Sequence, residues 1–184
     1  MEEERKGQVI DHLLRWLAFR GMSGFRKRRT PISDRMGVRR LLVFPGERIG
    51  DCVLSSALFH NLHALYPNAR IDAVSTDKNV ELLKADPLIT EVIESTDSNG
   101  PEADMWRRGE VFKGRHYDAV FLMTFMNRTK NALMLRHVNK DAVRITYDEP
   151  ARRSAYLQFF DILVPRDPSA HIVEPLAAAP AALL

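Results

Sequence analysis

Short apolar runs alternate with amphipathic stretches five times between Arg39 and Leu163, and this alternation constrains the fold more than any other feature of the 184-residue sequence. Leu41-Leu42-Val43-Phe44 reads as a buried strand stopped by Pro45-Gly46. Asp51 to Tyr66 reads as a helix, because Val53, Leu54, Ala57, Leu58, Leu62 and Leu65 recur along one stripe. Further strands are expected at Ile71–Thr76, Glu91–Ser95, Tyr117–Thr124 and Ala142–Thr146. Helices are expected at Asn79–Lys84, Glu102–Lys113, Lys130–Val138 and Arg152–Leu163. Strands separated by helical crossovers pair in parallel, and the crossovers are right-handed. The pattern therefore predicts an α/β fold: a doubly wound, Rossmann-like parallel sheet of at least five strands over residues 39–165, with helices on both faces.

Three segments follow from this. Residues 1–37 form a basic arm, residues 38–174 the sheet domain, and residues 175–184 a low-complexity linker or truncated end. Within the arm, Gln8 to Phe25 is expected to be an amphipathic helix, with Ile10, Leu13, Leu14, Leu17, Ala18 and Phe25 on one face. Gly21 and Gly24 end it, and Arg26-Lys27-Arg28-Arg29 follows. The arm is either a helix that packs on the body or a membrane-surface helix whose basic cluster meets anionic headgroups. The charge is uneven: residues 1–40 carry 11 Lys/Arg against 5 Asp/Glu, and the rest of the chain 16 against 19. An acidic body with no aromatics interleaved in the basic run argues against nucleic acid as a partner.

The single cysteine, Cys52, excludes an intramolecular disulfide and a multi-cysteine zinc site, and its expected state is an inert buried thiol. The opening MEEERKGQ lacks a secretory layout, and the uncharged run Cys52–Ala69 is interrupted by His60, Asn61, His63, Pro67 and Asn68. The expected location is cytoplasmic, with peripheral attachment to the inner face of the membrane through the arm.

In open parallel sheets, ligands bind beyond the carboxyl ends of the strands. Phe44-Pro45-Gly46-Glu47-Arg48-Ile49-Gly50-Asp51 occupies that place after the first strand. The glycines allow a tight turn and a close approach to a ligand, and Arg48 can pair with a phosphate or carboxylate. Asp51 would sit at the helix N-terminus, either as the N-cap or as a functional carboxylate. The turn matches neither a dinucleotide fingerprint nor a P-loop. Arg128 and Lys130 follow the fourth strand, where they would line the same edge or simply be solvated. His60 and His63 are spaced i, i+3 on a helix without an acidic or cysteine partner, which favours a solvated face over a metal site. His171 stands alone near the domain end.

The stretch VRRLLVFPGERIGDCVLSSALFHNLHALYPNARIDAVST resembles the start of glycosyltransferase family nine, the heptosyltransferase family of lipopolysaccharide assembly. The likeness lies in a basic residue before an apolar strand, an Arg-Ile-Gly-Asp turn, and a helix ending Leu-x-x-x-Tyr-Pro-x-Ala. It continues in order through NVELLKADPLITEVIES, HYDAVFLMT, VRITYD and Ala170-His171-Ile172-Val173-Glu174, spanning about residues 38–175. It departs at Phe125-Met126-Asn127, where relatives often carry a Gly-containing turn.

The resemblance implies the N-terminal, acceptor-side half of a GT-B fold, with the nucleotide-sugar domain missing. It implies inverting transfer of a sugar from a nucleotide-sugar donor to a lipopolysaccharide-type or other glycan or glycolipid acceptor, with no metal and no cofactor. Asp51 matches the family's general base, while Arg48, Gly50, Arg128 and Lys130 are the substrate-binding candidates. The isolated chain would be inactive, since it holds the base but little of the donor site. The competing expectation is a non-catalytic Rossmann-like binding module left from such an enzyme.

Overall fold

The computed structural model describes residues 17, 20–21, 32, 34–94, 109, 111–124, 131–132, 134–149, 156–167 and 169–184. The expected arm of residues 1–37 and the helix at 102–113 lie largely outside the described residues. Six strands form one sheet: β1 (Arg40–Phe44), β2 (Arg70–Ser75), β3 (Glu91–Glu94), β4 (Ala119–Leu122), β5 (Val143–Tyr147) and β6 (Ile162–Val164). Their order is β3-β2-β1-β4-β5-β6 and every neighbouring pair is parallel. Leu41 pairs in register with Ile71 on one side and Ala119 on the other, so β1 is central.

The apolar runs are continuous because the central strands are covered on both faces. Leu41 and Val43 point into one core, with Leu58, Phe59 and Leu62 of the helix α2 (Ser56–Leu65). Leu42 and Phe44 point into the other, with Val120, Leu122, Phe112, Leu135 and Phe160. Alternate residues of each strand thus feed opposite layers. The expected doubly wound sheet is the fold observed. Among the described residues, no helix is long and apolar enough to cross a membrane.

Three elements differ from the sequence expectation. The helix expected over Asp51–Tyr66 starts earlier and breaks into α1 (Ile49–Leu54) and α2 at Ser55. The Ser55 hydroxyl donates back to the Asp51 carbonyl at 3.0 Å, a bond that bends helices. The stretch read as a helix ending at Leu163 instead closes with β6. Tyr156 is helical, with the Phe160 N–H donating to its carbonyl at 2.8 Å, and Tyr156, Phe159 and Phe160 pack as an aromatic cluster under the sheet before the strand begins. Residues 175–184, read as a linker, pack into the core as the helix α4 (Val173–Ala178) and a 3-10 turn over Ala179–Leu183. Leu176, Ala179 and Leu183 are wholly buried there, and Tyr66 donates from its hydroxyl to the Pro180 carbonyl at 2.9 Å.

At the amino edge, charge ties the strand starts together. Arg40 pairs with Asp72 at 2.6 Å and with Glu91 at 3.1 Å, and Arg115 pairs with Glu91 at 2.6 Å. Tyr117 donates to Asp72 at 2.9 Å beneath the Arg40 guanidinium. The carboxyl edge is therefore the end left for a ligand.

Candidate functional site

The strand order runs outward from β1 in both directions, so the crossovers change side between β1 and β4. The carboxyl ends of these two strands are the general ligand position in such sheets. The turn from β1 lies at that end. Pro45 and Gly46 are buried, Glu47 partly so, and Arg48 is exposed with extended backbone at the N-cap of α1.

Asp51 is the third residue of α1 rather than its N-cap, which corrects one of the two sequence readings. The cap position belongs to Arg48, whose side chain makes no capping bond. The helix begins two residues before Asp51, and Gly46 folds back against Asp51. A Cβ on Gly46 would overlap the Asp51 Cβ, with the Asp51 Cα and carbonyl carbon at 3.0 Å. Glycine is required at position 46 by Asp51, not by a ligand. Gly50, by contrast, is exposed in α1 with open space where a side chain would go.

The Asp51 carboxylate is partly buried and makes no hydrogen bond or ion pair among the described residues. The same holds for the Arg48 guanidinium. An anion and a cation on one short turn, neither bonded to a described residue, can serve a proton-accepting and an anion-binding role side by side.

The turn itself is held from two sides. Asn79, at the start of the helix α3 (Val80–Lys84), donates from Nδ2 to the Gly46 carbonyl at 2.9 Å. Its Oδ1 accepts from the Thr76 backbone N–H at 2.7 Å, and the Thr76 hydroxyl donates to the Glu47 carbonyl at 3.3 Å. From the β4 side, Asn131 Nδ2 donates to Glu47 Oε1 at 3.1 Å. Sequence reasoning passed over Asn79, Asn131 and Glu47. Only the Asn at a helix start was a local signal, and it points to capping.

Among the other candidates, Arg128 and Lys130 lie outside the described residues. His60 is exposed and bonds its own helix at the Ser56 carbonyl, 2.9 Å away, and His63 is exposed. His171 is exposed and accepts locally from the Val173 N–H at 3.3 Å. Cys52 is buried, and burial above all, then Asp86 and Asp51, pushes its thiol up to about 11. It points under α1 into a groove of about 400 Å³ between α1, α2 and α3, lined also by Phe59, Leu82 and Leu88.

No family model matches the chain, and no curated protein does. Solved structures do match. The E. coli heptosyltransferase WaaC, solved with ADP-2-deoxy-2-fluoro heptose, aligns with a TM-score of 0.63 at 19% identity, over 77% of this chain and 47% of its own. The E. coli ADP-heptose LPS heptosyltransferase II aligns with a TM-score of 0.57 at 23% identity, over 77% of this chain and 40% of its own. A glycosyl transferase of family 9 from Veillonella parvula aligns with a TM-score of 0.64 at 14% identity, over 82% and 42%. The chain thus spans less than half the length of each structure it matches. At these identities the likeness establishes the fold.

Proposed function

We propose that this chain is the acceptor-side half of a family-nine glycosyltransferase of the heptosyltransferase type, built on one Rossmann-like half of a GT-B architecture. The observation that carries this reading is the pair Asp51 and Arg48 on the Arg-Ile-Gly-Asp turn, neither bonded to a described residue, at the carboxyl edge of a sheet that aligns with three such transferases.

The chemistry is a single displacement. The acceptor hydroxyl oxygen bonds to the anomeric carbon of the donor sugar as the bond from that carbon to the nucleotide diphosphate breaks on the opposite face. The hydroxyl proton passes to the Asp51 carboxylate, and the electron pair of the broken bond leaves with the diphosphate. A carboxylate is a weak base for a ground-state hydroxyl, but the oxygen becomes acidic as its bond forms, so proton transfer late in the step suits Asp51. Arg48 pairs with an anionic group of the acceptor, and Gly50 leaves room for it. Arg128 and Lys130 are proposed to add positive charge from the β4 side. The diphosphate is held mainly by the partner half of the enzyme, in keeping with neighbours solved with ADP and an ADP-sugar analogue, of which this chain covers under half.

The test is transfer from a nucleotide-sugar to a glycolipid acceptor with and without the donor-binding half supplied in trans or in one chain. Product is expected only when both halves are present. Robust turnover by the 184-residue chain alone overturns the assignment of the donor site. Acceptor binding with no transfer when both halves are present favours a non-catalytic binding module instead.

A further inference from the structure

We infer that Asn79 is a positioning residue for the Asp51 turn, so that the β2–α3 connection, remote in sequence, sets where the proposed base stands. The inference rests on the reading of Asp51 as base for its functional meaning, and on hydrogen-bond geometry for its structural content.

Asn79 occupies the N-cap of α3, where its side-chain oxygen would ordinarily accept from the first helical N–H groups. It makes no such bond. Both ends of the amide are used elsewhere: Oδ1 takes the Thr76 N–H, and Nδ2 reaches Gly46 across 33 residues of sequence. Asn79 is only 1% exposed, so these bonds are shielded from water. An asparagine at this position satisfies an acceptor that faces it and a donor that faces it at once, which an ionised Asp, an acceptor only, cannot do.

The lever is Gly46. Its carbonyl is fixed by Asn79, and its Cα lies against Asp51, leaving no room even for a methyl group. The Thr76 hydroxyl stands 3.3 Å from both the Glu47 carbonyl and Asn79 Oδ1 and shares its one proton between them. The Gly46 peptide is therefore pinned to the β2–α3 connection just before the chain enters α1. Release of the Gly46 carbonyl frees the segment that abuts Asp51, and the carboxylate loses its fixed place relative to a bound hydroxyl. Misplacement by an ångström is enough to lower a rate that depends on near-attack geometry.

Amide hydrogen exchange on the 184-residue chain tests this without reference to activity. Asn79→Asp keeps the acceptor for Thr76 and loses the donor to Gly46, while Asn79→Ala loses both without adding charge. Reporter amides are Cys52, bonded to the Arg48 carbonyl at 2.9 Å, and Ser55, bonded to the Asp51 carbonyl at 3.1 Å. Control amides are Leu83 in α3, bonded to the Asn79 carbonyl at 3.1 Å, and Tyr66 at the end of α2, bonded to Leu62 at 2.8 Å. Both variants are expected to speed exchange at the reporters on the order of tenfold with the controls within about twofold. Equal acceleration at Leu83 makes Asn79 an ordinary support of α3 and overturns the inference, as does no change at the reporters. With the donor-binding half supplied, Asn79→Asp is expected to lower kcat and leave the acceptor KM within about twofold; a rise in KM alone also overturns it. If the wild-type enzyme transfers no sugar, the proposed function fails while the exchange pattern still decides whether Asn79 positions the turn.

Discussion

Cys52 and Asp51 are neighbours in sequence with opposite fates. The carboxylate is partly exposed at the carboxyl end of the sheet, while the thiol is buried and raised to about 11 by burial and two nearby carboxylates. A thiol-specific reagent at pH 8 is expected to label the native protein more than about a hundredfold more slowly than the unfolded chain, since the thiolate is the reactive form. Fast native labelling would mean α1 opens readily. Glu91 carries a second residue-level signature. The Arg115 guanidinium that donates to it holds its carboxyl below the ordinary value of 4.5, with further help from Arg115, Arg40 and Arg70 charge. A depressed folded pKa contributes stability above the unfolded value and loses it as pH falls through the folded one. Between pH 4.5 and the lower folded value, the melting temperature of the wild type should therefore fall more steeply than that of Glu91→Gln, and parallel acid melts of the two would refute this. At this scale Arg48, Gly50 and Asp51 were readable as candidates, because they form one local motif after a strand. It was silent on Asn79 and Asn131, whose bonds reach residues 33 and 84 positions away. Local pattern carries no trace of such partners.

At the scale of elements, the turn between β1 and α1 holds two glycines with different duties. Gly46→Ala places a methyl group on Asp51 and is expected to cost about 1–3 kcal/mol, the usual penalty for overpacking. Gly50→Ala meets nothing in a helical position and should be neutral or stabilising by up to about 1 kcal/mol. Urea denaturation of both variants checks the pair, and equal costs would contradict the geometry of the turn. The central strands β1, β2 and β4 were legible because burial on both faces writes an uninterrupted apolar run. The edge strand β6 is three residues long and shorter than any periodicity can register. The closing α4 was hidden for a different reason. Its Ala- and Pro-rich sequence has no amphipathic contrast, yet small residues let it lie flat on α2, where Asn61 donates to the Ala177 carbonyl at 2.8 Å.

At the scale of the whole molecule, the two ends of the sheet divide the work. The amino edge is tied by the Arg40, Asp72, Glu91, Arg115 and Tyr117 cluster, and the carboxyl edge carries, on a braced turn, a carboxylate and a guanidinium that bond to no described residue. This division is compatible with the acceptor-side role proposed above. The most direct measurement is the transfer rate of Asp51→Asn, made alongside its melting temperature, with the donor-binding half supplied. Because the Asp51 side chain neither caps α1 nor bonds to a described residue, the fold has little to lose beyond a first-turn dipole effect of at most about 1 kcal/mol. The rate is expected to fall on the order of 10²–10⁴-fold, the usual loss for a general base, with the melt nearly unchanged. Wild-type rates from Asp51→Asn would contradict the assignment of Asp51 as the base.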